Sequence, residues 1–205
     1  MKKARMKGKN VEEATKAALA VLSATPEESV VNVINEGKPG MFGVIGGDEA
    51  EVEVIKKEGA AQDAKDLLQE LLDKMQFVTL VEAEKDGDIV QLSIKGEDMG
   101  RIIGKEGATL KAIEIVARTM LRKVYPEGLR ISLDADGYKD KRKQALERLA
   151  TDIVAEVVET GREKELPPME PADRRIIHIF LQENAKVTTF SKGEGRARRL
   201  VVAPR

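Results

Sequence analysis

Gly104 and Gly107 flank the charged pair Lys105-Glu106, between Met99-Gly100-Arg101-Ile102-Ile103 on one side and Ala108-Thr109-Leu110 on the other. No other stretch constrains the chain as much. Behind the loop, Leu110, Ile113 and Val116/Ala117 recur at helical spacing, so the second glycine opens a helix. Neither glycine has a Cβ, and another backbone can approach both. Free N–H groups at the helix start point the same way and favour a phosphate. Lys105 adds a point charge, and Arg101 is a second candidate phosphate contact. Ile102, Ile103 and Leu110 are candidates for the apolar lining of a groove that receives bases. Glu106 works against the cations beside it. The plainer alternative is a helix-turn-helix loop whose glycines serve geometry alone. A phosphate-binding NTPase loop does not fit, because the spacing from Gly100 to Glu106 is wrong and no Ser or Thr follows the Lys.

Composition narrows the ligand. The net charge over 205 residues is -1, so any nucleic-acid site must gather its cations locally. Cysteine is absent, which excludes disulfides and thiolate metal sites and fits a reducing compartment. The early apolar run Ala17 to Leu22 is six residues long and follows Glu12 and Glu13. It is too short for a signal peptide or a membrane span, so a soluble cytoplasmic protein without membrane insertion is expected. Aromatic residues make up 3% of the chain and form no visible cluster. Base stacking on an aromatic platform is therefore not expected, and binding must use backbone, phosphate contacts and aliphatic grooves.

Along the chain three units follow one another. Residues 1–57 read β-α-β-β: Lys3 to Lys7, a helix Val11 to Leu22 capped by Asn10, Val30 to Ile34, and a strand through Val52 and Val54. A glycine-rich connection, Gly37 to Gly47, lies inside this unit. Its Met41–Phe42 pair is either packed inward on a tight turn or an exposed knob for a partner. Residues 58–63 read as a linker. Residues 64–136 read α-β-β-α-α-β, with Leu67, Leu68, Leu71, Leu72 and Met75 on the first helix and Asp86-Gly87-Asp88 turning a hairpin. Residues 137–205 begin with a long helix, Tyr138 to Thr160, presenting Leu146, Leu149, Ile153 and Val157, stopped by Gly161. A helix opened by Pro171 and a hairpin, Val187 to Ser191 with Arg199 to Val202, complete the unit. The expected class is α+β, with three small α/β-sandwich domains in series.

The Pro171 helix carries the second candidate site. Arg174 and His178 are four apart and share a face, with Ile176, Ile177, Phe180 and Leu181 expected on the buried side. Arginine offers a planar fork to phosphate, and histidine can donate to phosphate or lie against a base. From Ala185 to Arg205 six basic residues, among them Lys192, Arg196, Arg198 and Arg199, face the single acid Glu194, a local charge of +5. The reading without a ligand is a solvated basic hairpin and an ordinary hydrogen-bonded histidine. No metal site is expected, since His178 is the only histidine and no cysteine accompanies it. No catalytic triad can be assembled, and no cofactor is called for.

These motifs carry a resemblance. The loop Ile103-Gly104-Lys105-Glu106-Gly107-Ala108 resembles the GXXG loop of the KH domain, an RNA-binding module, and the α-β-β-α-α-β order is similar to its type II form. Arg174 with His178, followed by Val187 to Val202, resembles the arginine-three-histidine domain. Together with Lys38-Pro39-Gly40-Met41-Phe42-Gly43 and Leu133-Asp134-Ala135-Asp136-Gly137-Tyr138, the order of units resembles the bacterial Jag family over nearly the whole chain. The resemblance implies a non-enzymatic binder of single-stranded RNA, with single-stranded DNA as the other candidate strand. It implies a regulator of cell elongation and division or of gene expression. It also implies pairing with a small single-KH protein or a second copy, and contact of the N-terminal domain with membrane-associated cell-wall machinery. The rival reading is a protein-interaction scaffold whose KH domain serves dimerisation.

Overall fold

The computed structural model describes residues 1–37 and 48–205. The expectations for Lys38 to Gly43, including Met41 and Phe42, lie outside the described residues. The chain divides into two compact units, Met1–Asp136 and Gly137–Arg205.

The first unit opens with β1 (Lys2–Gly8), α1 (Val11–Leu22), β2 (Ser29–Asn35) and β3 (Ala50–Lys56). The sheet order is β1-β3-β2, all antiparallel. Asn10 accepts the Glu13 N–H at 2.8 Å and starts α1. Ala14 and Ala18 are the buried residues of α1, against Val52 and Val54. The small side chains bring helix and sheet close, and Gly8 marks that approach: a Cβ there would stand 2.7 Å from the Ala14 nitrogen.

The unit continues with α2 (Ala60–Lys74), β4 (Thr79–Asp86), β5 (Ile89–Gly96), α3 (Met99–Ile103), α4 (Ala108–Leu121) and β6 (Arg130–Ala135). Strands β4 and β5 pair antiparallel across the expected Asp86-Gly87-Asp88 turn, and β6 joins β5 in parallel as an edge strand. Helix α2 begins inside the stretch read as a linker, because Ala60 and Ala61 favour helix and Asp63 ties the turn down. The fully buried Asp63 carboxylate accepts the Glu58 N–H at 3.2 Å and the Tyr125 hydroxyl at 2.5 Å. Burial, reinforced by Asp63, pushes the Tyr125 hydroxyl above its ordinary value. Lys2 reaches Glu58 at 3.1 Å and Lys3 reaches Glu70 at 3.6 Å, so the first strand is tied to α2 and its approach. Leu67, Leu68 and Leu72 are buried as expected, whereas Met75, at the helix end, is exposed.

The second unit contains α5 (Tyr138–Thr160), β7 (Lys164–Glu165), α6 (Pro171–Leu181), β8 (Val187–Lys192) and β9 (Arg199–Pro204), with sheet order β7-β9-β8. Leu146, Ala150, Ile153 and Val157 of α5 pack with Ile177 and Leu181 of α6 and with Val187, Leu200 and Val202 of the sheet. Two expected core positions are corrected. Leu149 is exposed and Ala150 takes its place, since a 3.6-residue period from Leu146 falls nearer 150 than 149. Phe180 is exposed because the stripe of α6 narrows to Ile177 and Leu181.

Candidate nucleic-acid interface

The glycine loop joins α3 to α4 through a short 3-10 turn, Lys105–Gly107. Gly104 adopts φ 70° and ψ -174°, a conformation reserved almost wholly for glycine. A Cβ there would lie 2.1 Å from Thr109 Oγ1. Gly107 has φ 80°, and Glu106 is itself left-handed at φ 53°. No side chain caps the start of α4, and uncapped N–H groups at a helix start suit an anion. Lys105 and Glu106 are exposed, and the Lys105 side chain makes no ion pair or hydrogen bond among the described residues, although its carbonyl accepts the Ala108 N–H. Arg101 is drawn sideways: its guanidinium lies 4.9 Å from the Phe77 ring centre and 3.4 Å from Asp98. Ile103 is half-buried at the loop. Ile102 and Leu110, expected in the groove lining, are core residues instead, because both helices turn their apolar faces onto the sheet.

Alongside α4 the seam to β6 ends in an open pocket of about 410 Å³ whose lining includes Ile89, Arg118, Arg122, Leu129 and Arg130 and one carboxylate, Glu127. These three arginines escaped the sequence reading. Arg118 and Arg122 share a helix face at i, i+4 spacing, a signal that was available. Arg130 joins them only through the parallel β5–β6 pairing.

In the second unit an open groove of about 480 Å³ is lined by Pro171, Arg174, Arg175, His178, Thr189, Phe190, Ser191, Arg198 and Leu200. No carboxylate is among these residues. The fold thus brings Arg174, His178 and Arg198 together and adds Arg175, which sequence reasoning passed over. Arg174 donates to the Met169 carbonyl and, at 3.4 Å, to the Arg198 carbonyl, which fixes its fork at the groove wall. His178 Nδ1 stands 2.6 Å from Thr189 Oγ1, leaving Nε2 as the other hydrogen-bonding position of the ring. Phe190 is exposed on β8 and borders the groove, an aromatic that composition alone gave no reason to place there.

Lys192 and Arg199 do not line this groove. They are cross-strand partners on β8 and β9, and both bind Glu165 of β7, at 2.6 and 3.3 Å. Glu165 is held below the usual carboxylate range by Lys192 first and Arg199 second, and Lys192 is raised in return. The side chain of Arg196 lies outside the described part of the structure.

Comparison with known proteins matches these parts in order. The Jag N-terminus model matches residues 6–56, the KH domain of KhpA/KhpB matches 61–134, and the R-three-H domain matches 144–204. RNA-binding protein KhpB of Clostridium symbiosum is 34% identical over 200 residues, spanning 95% of this chain and 88% of that protein. RNA-binding protein KhpB of Bacillus subtilis is 33% identical over 198 residues, spanning 96% and 95%. The chain belongs to the KhpB family. A third relative, RNA-binding protein KhpB of Streptococcus pneumoniae, is 28% identical over 145 residues and is covered over 44% of its length. The KhpB-type KH match contains the glycine loop and the arginine-lined seam, and the R-three-H match contains the Arg174–His178 groove. Among the described residues no cluster of His, Cys, Asp or Glu could hold a metal, and no helix is long and apolar enough to cross a membrane.

Proposed function

We propose that this chain is a cytoplasmic, non-catalytic protein that binds single-stranded RNA and acts in regulation of gene expression or of cell elongation and division. One observation carries the RNA-binding reading: the groove of the second unit gathers Arg174, Arg175, His178 and Arg198 with no carboxylate in its lining. Such a groove tracks phosphates, and the imidazole can lie against a base. The glycine loop supplies a second contact of a different kind, bare backbone with Lys105 beside it. The names of the relatives agree with this reading.

The test is binding of single-stranded oligoribonucleotides by the full chain over a range of salt concentrations. Each phosphate neutralised on a single strand contributes about -0.7 to the slope of log affinity against log salt. Arg175→Ala with Arg198→Ala is expected to flatten the slope by about 1.4, two phosphates' worth. A chain that ignores oligonucleotides at low ionic strength overturns the proposal.

A second reading, pairing through the KH domain, is favoured by a specific feature of α4. Ile115, Val116 and Met120 are exposed on its surface, 55, 45 and 39% accessible. This apolar face suits a small single-KH protein or a second copy. Sedimentation of the chain with and without such a partner checks it: Ile115→Glu is expected to abolish association and leave RNA binding intact.

A further inference from the structure

Strand β6 is an edge of its sheet, and its backbone is reached by two side chains of α4. An edge strand leaves N–H and C=O groups without strand partners. Here two of them are taken by side chains. Leu133 N–H donates to Glu114 Oε2 at 3.3 Å, and the Ile131 carbonyl accepts from Arg118 Nη2 at 3.3 Å. The two side chains hold each other, Arg118 Nη2 to Glu114 Oε1 at 2.6 Å. The outcome is one acceptor and one donor laid against the strand edge. An unpaired nucleobase offers the same pattern from its own edge.

The position fits a ligand track. Glu114 and Arg118 stand about 9 and 15 Å along α4 from Ala108, at about 1.5 Å per residue. A strand seated at the glycine loop and running along α4 meets this pair before it reaches Arg122 and Arg130 in the pocket beyond. The hold is loose: both bonds to the strand are long, and the Arg118 side chain is 45% exposed.

We propose that Glu114 and Arg118 form a clasp that stands in for a nucleobase on the β6 edge, so that bases are read there only when the clasp swings out. The inference rests on the RNA-binding reading above. With the clasp shut, the first unit holds RNA by its sugar–phosphate chain with little regard for base identity. With it open, Leu133 N–H and the Ile131 carbonyl take the acceptor and donor of one unpaired base. The two side chains thereby set specificity without adding contacts to the strand.

The experiment compares an oligoribonucleotide with an abasic sugar–phosphate oligomer of equal length, bound to the full chain. The ratio of the two affinities isolates base reading, since removal of the Arg118 charge weakens both ligands alike. Glu114→Ala, alone or with Arg118→Ala, is expected to raise that ratio about tenfold over the unaltered chain, the size of one good bidentate base contact. Glu114→Gln keeps an acceptor for Leu133 but weakens the hold on Arg118, and should fall between. If the alanine variants do not fold, Glu114→Gln decides on the same ratio. A ratio unchanged in folded variants that still bind RNA overturns the clasp and leaves the RNA-binding reading standing. The same unchanged ratio with new self-association assigns the pair to shielding the edge from strand addition, and also overturns it. No binding of either oligomer by the unaltered chain at low salt overturns both.

Discussion

The glycine loop and the arginine–histidine groove present their polar groups in opposite ways. At the loop those groups are main chain, Gly104, Gly107 and the first N–H groups of α4, with Lys105 and Glu106 nearly cancelling beside them. In the groove they are side chains, two of them oriented by another polar group: Arg174 by two carbonyls, His178 by Thr189. A main-chain site depends on dihedral angles and fails when a single methyl is added. A side-chain site depends on the scaffold beneath it and on charge, and fails by degrees.

The sharpest way to break the groove alone is through that scaffold. Asp173, in the first turn of α6, is almost fully buried and accepts Arg142 Nη2 at 2.7 Å and Nε at 3.3 Å. Arg142 is only partly buried and keeps a further interaction, so loss of its charge-assisted bonds to Asp173 costs about 2 kcal/mol, less than for a fully buried pair. Asp173→Ala is expected to destabilise the second unit by about that amount. Denaturant unfolding monitored by hydrogen exchange on α6 measures it. A midpoint that does not move would show that the groove stands without this pair.

The corresponding change at the loop is Gly104→Ala. The added methyl meets Thr109 Oγ1 and Cβ at 2.1 and 2.8 Å in a backbone region that alanine avoids. Strain of order 1–3 kcal/mol is expected. RNA affinity through the first unit should drop while the salt slope, set by the side-chain cations, stays as it was. A variant with native affinity and native melting temperature would remove the loop from the interface.

The same division explains what could be read before the structure. Helices α1, α2, α4 and α5 were legible because apolar spacing is local, and so was the β4–β5 turn, because Asp86-Gly87-Asp88 carries its own geometry. The glycine loop was legible for that reason too. Positions one residue off a stripe, Leu149 against Ala150, were not, because spacing by itself does not fix helix phase. Ile102 and Leu110 looked like groove residues because their direction depends on how α3 and α4 tilt onto the sheet. The Asp63–Tyr125 bond joins residues 62 positions apart and leaves no mark on either neighbourhood. The basic count of the C-terminal segment could not see Glu165, which lies well upstream and claims two of those cations.

Glu165 gives the smallest test and the one closest to the contrast itself. At neutral pH its carboxylate engages both Lys192 and Arg199, so two cations counted toward the basic surface are already partnered. Glu165→Gln releases them. If the released cations reach the strand, the salt slope steepens by about 0.7 for every further phosphate neutralised. Affinity at neutral pH should rise a few-fold, since all three groups are exposed and screened. The pH dependence follows from the direction of the shifts. Lys192 and Arg199 hold Glu165 below the usual carboxylate range, so the pair stays intact as pH falls into that range and opens only beneath it. Lys192, raised by the same interaction, keeps its charge at the alkaline side. The unaltered chain should therefore acquire the steeper slope of Glu165→Gln only at a pH below ordinary carboxylate titration. Superimposed slopes for the two proteins at neutral pH would place Lys192 and Arg199 outside the path of the strand and confine the groove to Arg174, Arg175, His178 and Arg198.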